Sequence, residues 1–314
     1  MSWLESRPLP AEASAAFTVF LDDLESKLSN ERTDRAELCR ELLAQFLYAR
    51  TYADLASAMP VVALNLDPRN VTLEAEYYAA ADPLQFARVK PLLWLWYNFD
   101  LSPAAGNIDF AVRLRRLLAG HIFQRVGRNF KAFTGVQFSV GYNLSVGDDV
   151  VVHRGVLIDD IGGVTLHDRV SLSDFVNVYS HTHSPLEASD VTLKHTTIGA
   201  GVRVTYHATV LAGVTLSDDS IVGAFGLATK DIAPHAIAVG IPALAQREKL
   251  RGAMPVALDS RVHVRPRDRK GNADYPLERD GAAQTRSVQT SAVQTSAIQP
   301  RAAQTPEVRE VVKR

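Results

Sequence analysis

The sequence has little of what marks a specialised class of protein. One cysteine among 314 residues excludes a disulfide within the chain. Cys39 lies among apolar residues at helical spacing, which indicates a buried, unreactive thiol. Lys and Arg number 34 against 35 Asp and Glu, so no overall charge draws the chain to nucleic acid or an anionic membrane. The most apolar run, 92–97, is far shorter than the ~20 residues that cross a bilayer. Without a signal-peptide pattern at the N-terminus, we expect a soluble, cytoplasmic protein with no membrane span and no nucleic-acid partner.

Three regions with different patterns divide the chain. Residues 1–133 have apolar positions at helical spacing, with Asp34 placed to cap a helix, and we expect a helical N-terminal region. Its aromatic stretch is expected to pack beneath the next region, and Arg113, Arg115, Arg116 and Arg125 to form a solvated face. Residues 134–243 carry a different repeat. Residues 244–314 form a short extension and a low-complexity tail with Gln at every fifth position from 284 to 304, for which disorder is expected.

An apolar residue returns at every sixth position through the central region. Neither a 3.6-residue helix nor a two-residue strand repeat makes such a pattern. Six-residue repeats are typical of a β-helix, in which each hexad forms one side and three sides complete a coil. The series runs Val140, Val146, Val152 and Ile158, shifts by two to Leu166, Leu172 and Val178, and returns after a gap as Ile198, Val204, Val210, Leu216 and Val222.

A second apolar or small residue follows four positions later in most hexads. The inward residues of neighbouring coils are expected to stack, with coils about 4.8 Å apart, and the open ends of such an array need caps. Glycines that follow the inward positions (Gly141, Gly147, Gly199 and Gly223) suit tight corners, where glycine tolerates a positive φ. The fold class is therefore mainly β: a parallel β-helix preceded by helices.

The stretch from about Leu117 to Arg247 resembles the hexapeptide-repeat acyltransferases, and most closely the maltose and galactoside O-acetyltransferase branch. Six segments carry the likeness: 140–148 (VGYNLSVGD), 157–160 (LIDD), 178–183 (VYSHTH), 212–215 (AGVT), 229–231 (TKD) and 239–243 (VGIPA). The resemblance implies a left-handed coil, a homotrimer, and acyl-CoA and acceptor bound between neighbouring subunits. It also implies transfer of an acyl group, expected to be acetyl from acetyl-CoA, to a hydroxyl of a small acceptor, expected to be a carbohydrate, without a metal.

Family position assigns the site residues. The resemblance implies that His183 is the general base, a role suited to a group with a pKa near neutrality, with His181 as the competitor. His153 takes the place of the family's active-site asparagine. Coenzyme-binding positions implied by the resemblance are Tyr206, Ala224, Thr229, Lys230 and Arg247. Ser139 and Arg203 replace the family's acidic residue and tryptophan, which separates this chain from acceptors of the maltose type.

Two other functions stay open at the level of sequence. Four histidines in the repeat region (His153, His181, His183 and His207) allow a zinc enzyme similar to the γ-type carbonic anhydrases, provided that three of them converge on one point. The β-helix could also serve as a non-catalytic trimeric scaffold. No serine or cysteine nucleophile motif is visible, so direct transfer is expected in preference to a covalent acyl-enzyme.

Overall fold

The computed structural model describes residues 9–187 and 190–249. The C-terminal region 244–314, for which disorder is predicted, lies outside the described residues except for 244–249. Six α-helices precede the repeat: α1 (Ala11–Ser29), α2 (Arg35–Tyr48), α3 (Tyr52–Ala58), α4 (Pro60–Leu66), α5 (Pro83–Phe99) and α6 (Ile108–Ile122). Short 3-10 turns lie at Pro68–Asn70, Glu74–Tyr77 and Pro103–Gly106. No helix in the described part of the chain is long and apolar enough to span a bilayer.

Side-chain caps begin several of these helices. The Asp34 carboxylate accepts from the amides of Ala36 and Glu37, which confirms the predicted start of α2. Asp82 caps α5 in the same way, by accepting from Leu84 and Gln85. Each cap satisfies backbone donors that the first helical turn leaves without a partner.

The aromatic stretch of α5 packs against the first coil of the β-helix, as predicted. Trp96 and Phe99 are fully buried, and the Trp96 indole donates to the Val136 carbonyl at 2.8 Å. Trp96 also meets Phe138 edge to face, with ring centroids 5.1 Å apart. One hydrophobic core is therefore continuous from the helices into the coils.

The prediction of a solvated arginine face on α6 is wrong. Arg115 is 1% exposed, and its guanidinium pairs with Asp100. Arg116 donates to the Phe130 carbonyl at 2.7 Å. These arginines face the first coil, and their acceptors are the Asp100 carboxylate and the carbonyls of Ala132 and Phe130. A charge pattern alone does not distinguish that arrangement from a helix face in water.

Short β-strands follow the helices. Their bounds are β1 (Arg125–Val126), β2 (Lys131–Ala132), β3 (Gln137–Phe138), β4 (Leu144–Val146), β5 (Val151–Val152), β6 (Leu157–Ile158), β7 (Val164–Leu166), β8 (Ser171–Leu172), β9 (Asn177–Val178), β10 (His181–His183), β11 (Val191–Leu193), β12 (Thr196–Ile198), β13 (Arg203–Val204), β14 (Thr209–Val210), β15 (Thr215–Leu216), β16 (Ile221–Val222), β17 (Leu227–Ala228), β18 (Ala236–Val239) and β19 (Leu244–Glu248).

Three parallel sheets form the three sides of the β-helix. The first side, side A, stacks β1, β4, β7, β12 and β15. The second, side B, stacks β2, β5, β8, β13, β16 and β18, with β19 added antiparallel to β18. The third, side C, stacks β3, β6, β9, β14 and β17. A separate antiparallel hairpin, β10–β11, interrupts the coils.

The predicted hexad register is confirmed. Every residue of the twelve-member series is at most 1% exposed. Val146 pairs with Leu166 and Ile198 with Leu216, so the inward residues stack from coil to coil. Two details differ from prediction. The coil starts at Arg125 rather than 134, and Phe138, not Val140, stacks on Ile158. Val140 is buried in the corner that follows.

Most of the predicted corner glycines serve a purpose other than positive φ. Gly141 does have a positive φ, of 75°. Gly147, in contrast, lies where the next coil passes close by, since a Cβ there would stand 2.4 Å from the Asp168 carboxylate and 2.7 Å from its amide. Positive φ at the corners is shared between glycines and larger residues, and the larger ones are Asn129, Asp149, Arg169, Phe175, His207, Asp219, Phe225 and His235.

Gly147→Ala should therefore destabilise the coil, because the backbone of the next coil must shift to admit the methyl group. We expect a loss of at least ~1–3 kcal/mol in the free energy of unfolding, measured by urea denaturation. Gly120→Ala is the matched control, since it adds a methyl in open space on α6 and should be neutral or stabilising. Equal effects of the two substitutions would contradict the close approach.

A buried carboxylate joins the helices. Asp67 is 4% exposed and accepts from Arg69 Nε at 2.9 Å and from Arg40 at 3.1 Å. The hydrogen bonds from Arg69 lower the pKa of Asp67 to about 2, against the opposing effect of burial. Since the pKa is lower in the fold than in the unfolded chain, the ionised carboxylate stabilises the fold above pH ~4 and this contribution is lost as the pH falls through ~2.

Asp67→Asn should lower the free energy of unfolding by about 2 kcal/mol at pH 7, the free-energy equivalent of the pKa shift. The difference from the parent should shrink between pH 4 and pH 2, as followed by denaturant unfolding across that range. Asp22→Asn, on the exposed face of α1, is the control. A difference that stays constant down to pH 2 would show that the carboxylate charge does not matter.

Candidate active site

The two histidines of the predicted catalytic segment lie on the hairpin that interrupts the coils. After β9 the chain leaves side C, forms β10 and β11, and returns at β12. The Lys194 amide donates to the Ser180 carbonyl at 2.8 Å, closing the hairpin at its base. His181 and His183 are both on β10, paired with Leu193 and Val191 respectively. The repeat stacks without them, and they project from its surface.

Asp159 organises the base of this hairpin. Its side chain is 5% exposed and accepts from Ser139 Oγ at 2.8 Å, from the Ser180 amide at 3.0 Å and from His181 Nδ1 at 2.6 Å. An ionised carboxylate only accepts, so Nδ1 of His181 carries the proton and Nε2 keeps its lone pair. The carboxylate therefore fixes both the orientation and the tautomer of His181, as in other His–Asp pairs.

The neighbouring carboxyl, Asp160, has a structural role. It is completely buried and accepts from the Val140 amide at 2.8 Å. Burial raises the pKa of Asp160 to about 6, and hydrogen bonds from the backbone of the preceding corner oppose that rise. The two adjacent acids of the Leu-Ile-Asp-Asp segment thus have different roles: Asp159 binds the hairpin, and Asp160 binds the backbone of a corner.

His183 is exposed at the end of β10. Its ring meets that of His181 edge to face, with centroids 5.1 Å apart. A third ring, Tyr78 from the helical region, lies 5.9 Å from His181. The histidine predicted to be the base therefore stands directly beside the imidazole that Asp159 orients.

A cleft of about 370 Å³ opens beside His181. Its floor is the outer face of side C, with Gln137, Ser139, Leu157 and Asp159. Its roof is the turn at 73–78. The remaining lining residues are Tyr97, Phe138, Tyr179 and His181. The volume lies at the lower end of the ~300–1,000 Å³ typical of small-molecule sites.

His153 lies at a different edge of the coil from His183. It follows β5 at the corner between sides B and C, where its ring stacks on Phe133 at 5.3 Å with an interplanar angle of 3°. Burial lowers the pKa of His153, so its imidazole is neutral at pH 7. The hairpin leaves from the opposite edge of side C. Within one chain, the structure does not bring the two predicted catalytic histidines together.

The predicted coenzyme-binding residues lie towards the other end of the coil. Tyr206 and Ala224 occupy one corner in adjacent coils, where the Phe225 amide donates to the Tyr206 carbonyl at 2.9 Å. Thr229 and Lys230 follow β17 at the next corner, and Arg247 is on β19. All five are exposed. All five residues belong to the last coils, but they lie at two different corners and on the terminal strand β19.

The sequence did not single out three residues that the structure places at the site. Asp159 was visible only as one of two adjacent acids, without a sign of which one faces outward. Glu74 and Tyr78 lie in the roof of the cleft, outside the stretch that carries the family likeness. Their proximity to His181 depends on how the helices pack on the coil, which no local pattern encodes.

A search of curated proteins and of solved structures finds acetyltransferases and other acyltransferases. The galactoside O-acetyltransferase of Escherichia coli (strain K12) is 32% identical over 158 residues, which are 49% of this chain and 75% of that protein. The chain belongs to the galactoside O-acetyltransferase family. It is therefore an acetyltransferase of the galactoside and maltose O-acetyltransferase type. No family model matches the chain.

Two solved structures are also similar to this chain. A maltose O-acetyltransferase from Clostridium difficile 630 is 24% identical, with a TM-score of 0.48 over 57% of this chain and 98% of its own. A galactoside acetyltransferase in complex with coenzyme A is 27% identical, with a TM-score of 0.47 over 53% of this chain and 81% of its own.

Asp159→Asn should disturb the candidate site locally. An amide cannot accept all three hydrogen bonds, so we expect His181 to lose its preference for the Nδ1–H tautomer and the fold to lose about 1–3 kcal/mol. Imidazole nitrogen chemical shifts of labelled protein report the tautomer, and Asp190→Asn on the hairpin's far limb is the control. An unchanged His181 spectrum would contradict the orienting role.

Proposed function

We propose that this acetyltransferase uses acetyl-CoA to acetylate a hydroxyl of a carbohydrate, by direct transfer with His183 as general base. The observation that supports this most strongly is the position of His183 beside the His181–Asp159 pair, both members of which line the cleft. A histidine with a pKa near neutrality suits a base that must accept and then release a proton.

The proposed reaction is a single acyl transfer. The acceptor hydroxyl oxygen attacks the thioester carbonyl carbon while its proton passes to His183. The carbon–sulfur bond then breaks, and the proton is returned to the leaving thiolate, so the products are an acetyl ester and free coenzyme A. His181, held by Asp159, is positioned to orient His183 or the acceptor. Such proton transfer by a placed side chain typically contributes about 10²–10⁴-fold.

His153 has a separate role in this proposal. A neutral imidazole can donate one hydrogen bond, as the amide of the family's asparagine does, and so it can stabilise the oxyanion that develops on the thioester. Because His153 and His183 lie at opposite edges of side C, one site needs them from two different copies of the chain. The proposal therefore includes a homotrimer with three equivalent clefts between subunits.

The last coils supply the proposed surface for acetyl-CoA. The coenzyme is long and carries phosphates at one end, and exposed cations suit that end. Lys230 with Thr229, and Arg247 on β19, are the exposed cationic positions, while Tyr206 and Ala224 form the neighbouring corner. In this proposal the β-helix carries the chemistry and the helical region shapes the acceptor side.

The zinc and scaffold alternatives gain no support from the described residues. Within 9–187 and 190–249, no group of three His, Cys, Asp or Glu side chains is placed to hold a metal ion. His207 stacks between Phe175 and Phe225 on a coil corner, away from the hairpin that carries His181 and His183.

His183→Ala should lower kcat by about 10²–10⁴-fold with little change in the KM for acetyl-CoA, because the base acts on the acceptor proton. The assay follows thiol release from acetyl-CoA in the presence of a panel of sugars, with mass spectrometry of the product. His167→Ala, on a remote exposed corner, is the control and should keep the parent rate. If His183→Ala kept that rate while His181→Ala lost it, the base would be His181.

A further inference from the structure

The cleft beside His181 has a roof that the family resemblance does not cover. The resemblance begins near Leu117, whereas the roof is the turn at 73–78. Tyr78 donates to the Glu74 carboxylate at 2.8 Å, and both side chains line the cleft. The acceptor side of this site is therefore partly built from residues of the helical region, outside the repeat.

The roof is fixed in place by several contacts. Glu76 accepts from the Leu73 amide at 2.7 Å and pairs with Lys90 of α5 at 2.9 Å. Lys90 also donates to the Val71 carbonyl at 2.7 Å. At the other end of the turn, the Tyr142 hydroxyl accepts from the Asp82 amide at 2.8 Å. A turn anchored on both sides can hold a ligand in one orientation without a large ordering cost.

The cleft has an acidic and hydroxylic lining. Two carboxylates, Glu74 and Asp159, face it from roof and floor, together with the hydroxyls of Ser139, Tyr78 and Tyr179. None of its described lining residues is Lys or Arg. The pKa of Tyr78 is raised, first by its hydrogen bond to Glu74, then by burial and by the charges of Glu74 and Asp159.

We propose that this cleft binds the acceptor, and that Glu74 and Tyr78 make the enzyme prefer a neutral or cationic single-ring sugar over a uronic acid or sugar phosphate. This inference rests on the proposed carbohydrate acetylation. Carboxylates accept hydrogen bonds from sugar hydroxyls or a sugar ammonium. An anionic sugar would instead face two like charges in a partly enclosed space. The volume suits one ring better than an oligosaccharide.

The test compares three acceptors of one ring size, all as methyl glycosides: a neutral hexose, its 2-amino sugar and its uronic acid. Initial rates are measured at saturating acetyl-CoA, and base-labile O-acetyl product is quantified by mass spectrometry so that amide formation is counted separately. For the parent we expect kcat/KM for the hexose and the amino sugar to exceed that for the uronic acid by at least about 10-fold, as expected for like charges in a partly shielded site.

Glu74→Gln removes the charge of the roof with little change in shape. It should raise the KM for the amino sugar and reduce its preference over the uronic acid by at least about 3-fold, while the KM for acetyl-CoA stays within about 2-fold of the parent. Tyr78→Phe should raise the KM for all three acceptors. The matched controls are Glu31→Gln and Tyr77→Phe, which remove the same groups outside this cleft and should leave all constants unchanged.

The outcomes separate the two proposals. If the parent acetylates none of the sugars, carbohydrate acetylation fails. If it acetylates them but takes the uronic acid as well as the hexose, or if Glu74→Gln leaves the preference unchanged, the acceptor cleft fails while the reaction stands. Thermal unfolding of each variant shows whether a loss comes from misfolding. If Glu74→Gln does not fold, an unchanged KM for all three acceptors in Tyr78→Phe would overturn the acceptor cleft.

Discussion

Stacking between coils is the constraint on which this structure depends. Each inward side chain must pack on its counterpart in the next coil, because a coil buries its apolar face only against its neighbours. Val152, Leu172, Val204 and Val222 form one such column along side B. The requirement fixes the six-residue period, the parallel pairing and the close approach at Gly147. It also makes the two ends of the array the places where other elements must cover the core.

The candidate catalytic residues lie where the six-residue period is interrupted. The chain can leave the coil only at a corner, and between β9 and β12 it does so to form the hairpin with His181 and His183. The next coil still stacks across that break, since Val178 pairs with Val210. The regular coil thus carries the hairpin with both histidines at one edge. Asp159 lies on the coil itself and joins the two by binding His181.

The helices that cover the first coil have a second consequence. Trp96 and Arg115 fasten α5 and α6 to the start of the β-helix, and this fixes where the turn at 73–78 falls. That turn then overhangs the outer face of side C beside the hairpin. The same packing that closes the open end of the core therefore encloses a cleft of 370 Å³ next to the histidines.

How far the sequence predicts this protein depends on the range of each interaction. The coil was predictable because its repeat is local and regular, and all of the predicted stacked positions except Val140 follow from spacing alone. The repeat predicted Val140 at the stacked position that Phe138 occupies in the structure. The corners before β4 and β7 are longer than the others, and a repeat with such insertions has two possible frames. The burial of Arg115 and the meeting of Glu74, Tyr78 and His181 depend on packing between distant segments. The family likeness located His183, but only the fold revealed the carboxylate that orients its neighbour.

A crystal structure of the protein with coenzyme A and a neutral methyl glycoside tests most directly the claim that the break in the coil and its helical roof together form the acceptor site. The prediction is that the sugar lies between Tyr78 and His181, with one hydroxyl within hydrogen-bond distance of His183. A sugar bound instead in the larger groove of the helical region, lined by Arg35 and Arg88, would contradict it.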